Sequence, residues 1–595
     1  MPLYTELPDD IDTVDVIIAG GGTSGCIVAS RLSDADPSLS VLLIEAGANN
    51  HGDPTVTTPF LFVSHLAPGS KTVTVLKGNK SEFLGDREPV VQTARMLGGG
   101  SSVNMLMYSR AQRSDFDAWQ TPGWSSEDLL PFMRKTETYH GDDPKNVHGT
   151  DGPIHISHGT YTSIRSQDAF IDAAKSKGWK EASDLGDLET ANGIQRAKRY
   201  ISPGGLRQDV AHKYLHPRLE DGAHPNLHVL VQAQVDRVIF DGKRAAGVTY
   251  KSSATPGEEI RTVKARKLVI LSSGACGTPP ILERSGVGDA AILERAGIAP
   301  VTKLLGVGNG YQDHHTMGYI YRSDLAVDET LDGIMTGTFD IPAMMQSGDK
   351  MLGWNCLDVT GKLRPSPEDV TALGPGFQQV WDKDFKDHPD RPLSLLCLIN
   401  GGMEPVGEPG QYFSITAFTA YPYSRGHVHI TGPSLDDPVD FNPGILSDPE
   451  GADILACRWN YKAQREIARR MRVYRGEVAS QHPPFSEDSA AKPTQSSEPP
   501  PSDVSDIQYS AEDDAVIDKW VRGRVSTPWH SLGTCKMATK EENGVVDENL
   551  NVYGVEGLKI ADLSIPPVNV AAHTNATALA VGEKAAAIFI QELGL

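Results

Sequence analysis

The chain has 595 residues, of which 55 are basic and 77 acidic, for a net charge of -22. Single domains run to about 100–200 residues, so this length calls for two or more cores. The acidic excess argues against nucleic acid and anionic membrane surfaces, which need a basic field, and suits solubility in the cell.

In chain order, Val14-Asp-Val-Ile-Ile-Ala19 reads as a strand buried on both faces. Gly20-Gly-Gly22-Thr23-Ser24-Gly25 follows, and a helix is expected from Ser24 to Leu32. A second apolar strand, Val41-Leu-Leu-Ile, ends in Glu45. Each part has a physical reason. Gly20 permits a tight turn, Gly22 lets the backbone approach a pyrophosphate, and Gly25 brings helix close to strand. The helix N-terminus supplies partial positive charge, and Glu45 is placed to accept from a ribose diol. With strand, helix, strand and acid in register, the opening predicts a dinucleotide site.

Gly98-Gly-Gly-Ser-Ser102 holds five small residues in succession and predicts a loop lying flat against a planar ligand. Helices are expected over 126–138 and 163–177, and strands over 227–232, 235–240 and 267–272. Next, Ser273-Gly274-Ala-Cys-Gly-Thr-Pro-Pro280 predicts a Gly-rich turn leading into a helix at 281–285, again a crevice geometry. His314 and His315 follow another Gly-rich turn but lack a third ligand at a useful spacing, so no metal is expected. The six cysteines are scattered and form no CxxC pair or zinc spacing.

Between 320 and 520 the texture shifts toward Pro, Asp and aromatic residues. Alternation over 416–421 and 426–431 predicts an antiparallel sheet, with His427 and His429 on its solvent face. A partly solvated helix is expected from Cys457 to Val473, and a surface loop over 487–505. Trp529-His530-Ser-Leu-Gly-Thr-Cys535 offers one histidine. The strand 558–562 ends in Asp562, and His573 precedes an amphipathic helix from Thr574 to Gln591. No run reaches the ~18 apolar residues of a spanning helix. The acidic start has no signal-peptide pattern and the end is no peroxisomal tripeptide, so a cytoplasmic location is expected.

These motifs, in order and spacing, resemble the glucose-methanol-choline (GMC) flavoprotein oxidoreductases. The carriers are the N-terminal fingerprint, Gly98-Gly-Gly-Ser-Ser-Val-Asn104, Ser273-Gly-Ala-Cys-Gly-Thr-Pro279 and His530-Ser-Leu-Gly-Thr. Within the family the chain looks most like fungal alcohol (methanol) oxidases, on Met105-Leu-Met-Tyr, Tyr421-Pro-Tyr-Ser-Arg-Gly426 and Asn551-Val-Tyr-Gly-Val. It departs from them at His573, where that subgroup resembles itself in having Asn and aryl-alcohol and glucose oxidases have His.

The resemblance implies an α/β GMC fold. A Rossmann-like FAD-binding domain would span 1–155, 223–320 and 522–595, with an inserted antiparallel-sheet substrate domain over 156–222 and 321–521. It implies FAD, held non-covalently because Val103 stands where covalent members have His. Glu45 would meet the adenosine ribose, Val235 the adenine, and Asp562 the pyrophosphate or ribityl chain. Asn104 and the loop before it would approach the isoalloxazine. Arg95, Gly99, Gly100, Ser102, Met105, Ser273, Gly274, Trp529 and Thr574, with Thr23 and Ser24, complete the expected cofactor set. His530 would accept the hydroxyl proton of a small primary alcohol while hydride leaves for the flavin, and His573 would hold the alcohol oxygen. O₂ would then be reduced to H₂O₂. Two rival chemistries fit the same motifs: electron transfer to quinones, and a lyase or cyclase in which FAD is structural.

Overall fold

The computed structural model describes residues 2–254, 259–404 and 406–595. Its first sheet has eight strands, and four of them fix the crevice. Thr13–Ala19 lies between Val41–Ile44 and Arg261–Leu271, all parallel, and Leu558–Ile560 adds to Arg261–Leu271. Val16, Ile17, Ile18 and Val41 to Leu43 are wholly buried, as continuous apolar strands covered on both faces must be. Because a strand from residue 558 pairs with one from 269, both ends of the chain build one sheet.

The helix Thr23–Ala35 follows the first strand, and the C-terminal helix Asn575–Leu593 packs along it. The contact is close. A Cβ on Gly582 would stand 3.0 Å from Ser24 Cα, and Ser24 Oγ donates to Ala578 O at 2.8 Å. Arg31 adds a charged clasp, with its guanidinium 2.7 Å from the fully buried Glu583.

A second sheet has seven strands in the order Tyr474–Glu477, Thr316–Ser323, Gln411–Thr419, Ser394–Ile399, Leu357–Leu363, Gly193–Arg196, Lys180–Glu181. Its pairs are antiparallel except the last. The strand Thr316–Ser323 straddles the expected boundary at 320/321 and belongs to this sheet.

Three local expectations are corrected. The helix expected at 281–285 starts at Gly274 and contains Pro279 and Pro280. A proline there has no N–H for the carbonyl four residues back, and Thr534 Oγ1 takes up Ala275 O at 2.6 Å. The helix expected over Cys457–Val473 runs over Ala452–Ala468 and is mostly buried. Its charges are paired rather than solvated: Arg465 and Glu477, each 1% exposed, form a bidentate pair. Finally, His427 is half-exposed but His429 is buried, with Nδ1 2.6 Å from the Glu283 carboxylate.

Candidate active site

The Gly-rich turn after the first strand is shaped by close backbone approach. Gly20 has φ +112°, and a Cβ there would sit 2.3 Å from Ser272 O. Gly99 has φ +55°, and its Cβ would lie 2.6 Å from Gly22 Cα. The 98–100 loop therefore rests directly on the fingerprint turn, joined also by Gly98 N donating to Gly21 O at 2.7 Å. By contrast, a Cβ on Gly100 or Gly274 meets nothing within 4 Å, and one on Gly22 meets only Ser272 O at 3.7 Å. These glycines border open space.

Two long helices begin there without a side-chain cap, Thr23–Ala35 after Gly22 and Asn575–Leu593 after Thr574. Their first-turn N–H groups are orphan donors that attract anionic or carbonyl acceptors. Thr577 Oγ1, in the first turn of the C-terminal helix, is buried with no hydrogen-bond partner among the described residues. The donors and the bare backbone fit a dinucleotide with a polar ring edge.

Several expected cofactor residues are already engaged with protein. Glu45 Oε2 accepts from Gly21 N at 2.8 Å and Oε1 from Gly47 N at 2.7 Å, while burial raises its carboxyl above the ordinary value. Asp562 Oδ2 accepts from Gly274 N and Thr278 Oγ1 at 2.8 and 2.6 Å, capping the helix Gly274–Arg284. Ser273 Oγ donates to Ala19 O. Ser24 and Ser102 turn their hydroxyls to the carbonyls of Ala578 and Leu97. Asn104 Oδ1 accepts from Leu106 N and Arg207 Nη1. Arg95 is half-buried and acts on the Glu45 carboxyl through its charge. Val235 is buried on the strand Ala233–Asp241, which is tied to Glu45 by Ala233 N donating to its carbonyl. Met105 is half-buried, its carbonyl accepting from Asn355 Nδ2.

The two histidines meet. His530 Nε2 and His573 Nδ1 are 3.3 Å apart, their rings crossing at 86°. Trp529, just before His530, has φ +62° and is 38% exposed, a left-handed residue that swings the chain inward. Thr534 Oγ1 ties this segment to the crevice helix through Ala275 O, and Thr574, beside His573, starts the C-terminal helix.

Sequence reasoning passed over three further side chains. His314, weighed only as a metal ligand, puts Nδ1 2.8 Å from His530 Nδ1 and Nε2 3.0 Å from Val570 O. Phe418 sets its ring 5.6, 5.7 and 5.2 Å from those of His314, His530 and His573. Cys397 Sγ lies 3.6 Å from His573 Nε2. Cys397 and Phe418 stand on neighbouring strands, Ser394–Ile399 and Gln411–Thr419, so the second sheet forms the wall facing the histidines. No local pattern betrays them: His314 and His530 are far apart in the chain, and both strands are buried along almost their whole length.

The backbone carrying these rings is pinned. Gln312 and Leu532 exchange both N–H···O bonds at 3.0 Å, as do Thr316 and Ser526 at 2.9 and 3.1 Å. Asp313 Oδ1 accepts from both His314 N and His530 N, at 2.8 and 3.0 Å. Its Oδ2 accepts from Tyr311 OH and Ser531 Oγ at 2.9 and 3.2 Å. Ala571 N donates to Asp115 Oδ2 at 2.9 Å, fixing the His573 turn.

Burial disfavours the imidazolium form of all three rings. It holds His530 well below the ordinary value, with His314 and His573 adding repulsion. It pushes His314 down to about 3. His573 falls to about 4, helped by the Lys362 ammonium. At neutral pH the three rings are therefore uncharged. Among the described residues no group of three or more His, Cys, Asp or Glu could hold a metal ion, and no helix is long and apolar enough to cross a membrane.

Comparison with known proteins supplies the context for this geometry. The N-terminal GMC oxidoreductase model matches residues 14–316 and the C-terminal one residues 422–582. An alcohol oxidase of Candida boidinii is 36% identical over 98% of this chain and 95% of its own length. An oxygen-dependent choline dehydrogenase of Burkholderia lata is 29% identical over 96% of this chain and 92% of its own. Among solved structures, a FAD-dependent oxidoreductase from Chaetomium thermophilum superposes with TM-score 0.80 at 26% identity, covering 98% of this chain and 100% of that one. With both family models matched and the fold shared, this chain belongs to the GMC oxidoreductase family.

Proposed function

We propose that the protein binds FAD non-covalently and oxidises a small primary alcohol to the aldehyde, with O₂ as acceptor and H₂O₂ as co-product. The observation that carries this reading is the contact between two neutral, buried imidazoles, His530 and His573, tied through Thr534 and Thr574 to elements that border the glycine crevice. The alcohol oxidase and choline dehydrogenase relatives support alcohol oxidation. The division into a FAD-binding part (1–155, 223–320, 522–595) and a substrate part (156–222, 321–521) belongs to the same proposal.

FAD, when bound, supplies the hydride acceptor and carries both electrons on to O₂. The uncapped N-termini at Gly22 and Thr574 and the open backbone at Gly100 and Gly274 would hold it. This chain handles the proton. An alcohol that loses hydride without losing its hydroxyl proton becomes a protonated carbonyl, a very strong acid, so the proton must leave nearly in step. His530 accepts it at Nε2. His573 donates a hydrogen bond to the same oxygen and turns the carbon toward the acceptor. Phe418 and Cys397, both buried, keep water from the exchange. Asp313 keeps the His530 backbone from retreating.

His530→Ala tests the reading. The FAD-loaded variant should be reduced anaerobically by alcohol about 10²–10⁴-fold more slowly, the range for loss of a general base. A near wild-type rate removes His530 from that role.

A further inference from the structure

A base can accept a proton only at a nitrogen that does not already carry one. Neutral imidazole has two tautomers, and which is present depends on the partner of the other nitrogen. In this protein the partners form one chain: Val570 O, His314, His530, His573 and Cys397.

We infer that His314 is a positioning residue that fixes the tautomer of His530, leaving His530 Nε2 as an obligatory proton acceptor. The deduction starts at the backbone. A carbonyl oxygen only accepts, so the 3.0 Å contact between His314 Nε2 and Val570 O puts a proton on Nε2. In a neutral ring His314 Nδ1 then bears a lone pair. His530 Nδ1 stands 2.8 Å from it, and two lone pairs cannot share that distance, so His530 Nδ1 is the N–H donor. His530 Nε2 is thereby unprotonated and faces His573 Nδ1 at 3.3 Å, which must be the donor. The remaining nitrogen, His573 Nε2, faces the Cys397 thiol at 3.6 Å and can accept from it.

Every link agrees with the roles proposed above, on which this inference rests. An alcohol oxygen entering between the rings finds an acceptor at His530 Nε2 for its proton and a donor at His573 Nδ1 for its lone pair. Reversing the His314 ring would break both. The largest influences on the His314 ring are burial, the carbonyls of Val570 and Ala420, and the His573 and His315 rings, with His530 and Phe418 in contact and the Asp313 carboxyl on its backbone N–H. The ring is wholly buried, and burial keeps it neutral. Asp313 makes the geometry rigid, because one oxygen holds the backbone N–H of both histidines. The logic parallels hydrolases in which a third group holds the catalytic histidine in one tautomer, with a neutral imidazole backed by a carbonyl taking the place of a carboxylate.

The test uses FAD-loaded wild type, His314→Leu and His314→Gln. Leu removes acceptor and donor, whereas the Gln amide keeps one of each. With ¹⁵N-histidine labelling, the His530 signals are identified by their loss in His530→Ala. Wild type should show His530 protonated at Nδ1 and not at Nε2. In the Leu variant that signal should shift to the Nε2–H form or a mixture, and kcat/KM should fall about 10²-fold or more, measured with the best of methanol, 1-butanol and benzyl alcohol. Gln should recover most of the rate and the wild-type signal. The inference is overturned if wild-type His530 carries its proton on Nε2. It is overturned equally if the Leu variant keeps the wild-type tautomer, or if Gln is as impaired as Leu while both keep it, since the ring then serves packing alone. His530→Ala separates the two levels. If that variant is fully active, the base itself is wrong and this inference falls with it. If it is impaired while His314→Leu is not, only the inference fails.

Discussion

Asp313→Asn separates two opposing forces on the residue that holds His314 and His530. Four donors converge on its carboxylate, the N–H groups of His314 and His530 on Oδ1 and the hydroxyls of Tyr311 and Ser531 on Oδ2. They favour the ionised form. Complete burial opposes them and prevails, pushing the carboxyl from 3.8 up to about 7. A folded-state pKa raised in this way gives a stabilisation that is full below about 4 and is lost as pH climbs through about 7. Each pH unit well inside those limits is worth about 1.4 kcal/mol, and the slope fades as pH nears 7, so about 2 kcal/mol should disappear between pH 5 and pH 7. Asn does not titrate, yet its carbonyl can still accept from both histidine backbones. Urea unfolding of the FAD-loaded proteins, followed by tryptophan fluorescence across pH 5 to 8, measures the difference. Wild type should lose about 2 kcal/mol relative to Asp313→Asn from pH 5 to 7, with little change above. A difference that stays flat or rises over that window would mean the four donors outweigh burial, and the reasoning fails.

Other substitutions probe the crevice and the wall. Gly99→Ala places a Cβ 2.6 Å from Gly22 Cα at a backbone with φ +55°; the purified protein should lose most of its FAD, and a wild-type FAD-to-protein ratio would contradict the crevice assignment. Phe418→Ala opens the space beside all three imidazoles, so the kcat/KM ratio of benzyl alcohol to ethanol should rise about 10-fold or more; an unchanged ratio would show that the ring does not border the alcohol. Thr534→Val strands the Ala275 carbonyl freed by Pro279 and should cost about 1–3 kcal/mol in urea unfolding, a prediction lost if stability is unchanged.

The sequence announces its crevice because local physics does the work there. Val14 to Ala19 must be buried on both faces, Gly20 needs its positive φ, and Gly25 cannot carry a Cβ 2.1 Å from Gly20 O. His530 and His573 stand out as histidines in small, tightly spaced motifs. His314 does not, because its importance lies in a ring 216 residues away in sequence, brought near by a backbone bridge between Gln312 and Leu532. Nor does Phe418: the alternation over 416–421 announces a strand, but that strand and the one beside it are buried on both faces, so neither face stands out as a wall. The helix Ala452–Ala468 misled for a related reason. Its Arg and Glu residues read as a solvent face, yet Arg465 finds its partner Glu477 on a strand that only tertiary folding supplies. His429 misled likewise, its partner Glu283 lying on the helix Gly274–Arg284.

The most direct measurement is anaerobic mixing of the FAD-loaded protein with a primary alcohol, followed by admission of O₂. Oxidised-flavin absorbance should disappear as one equivalent of aldehyde forms, then return with one equivalent of H₂O₂. Flavin that stays oxidised while the alcohol is transformed, or reduced flavin that O₂ leaves untouched while a quinone reoxidises it, would contradict an alcohol oxidase.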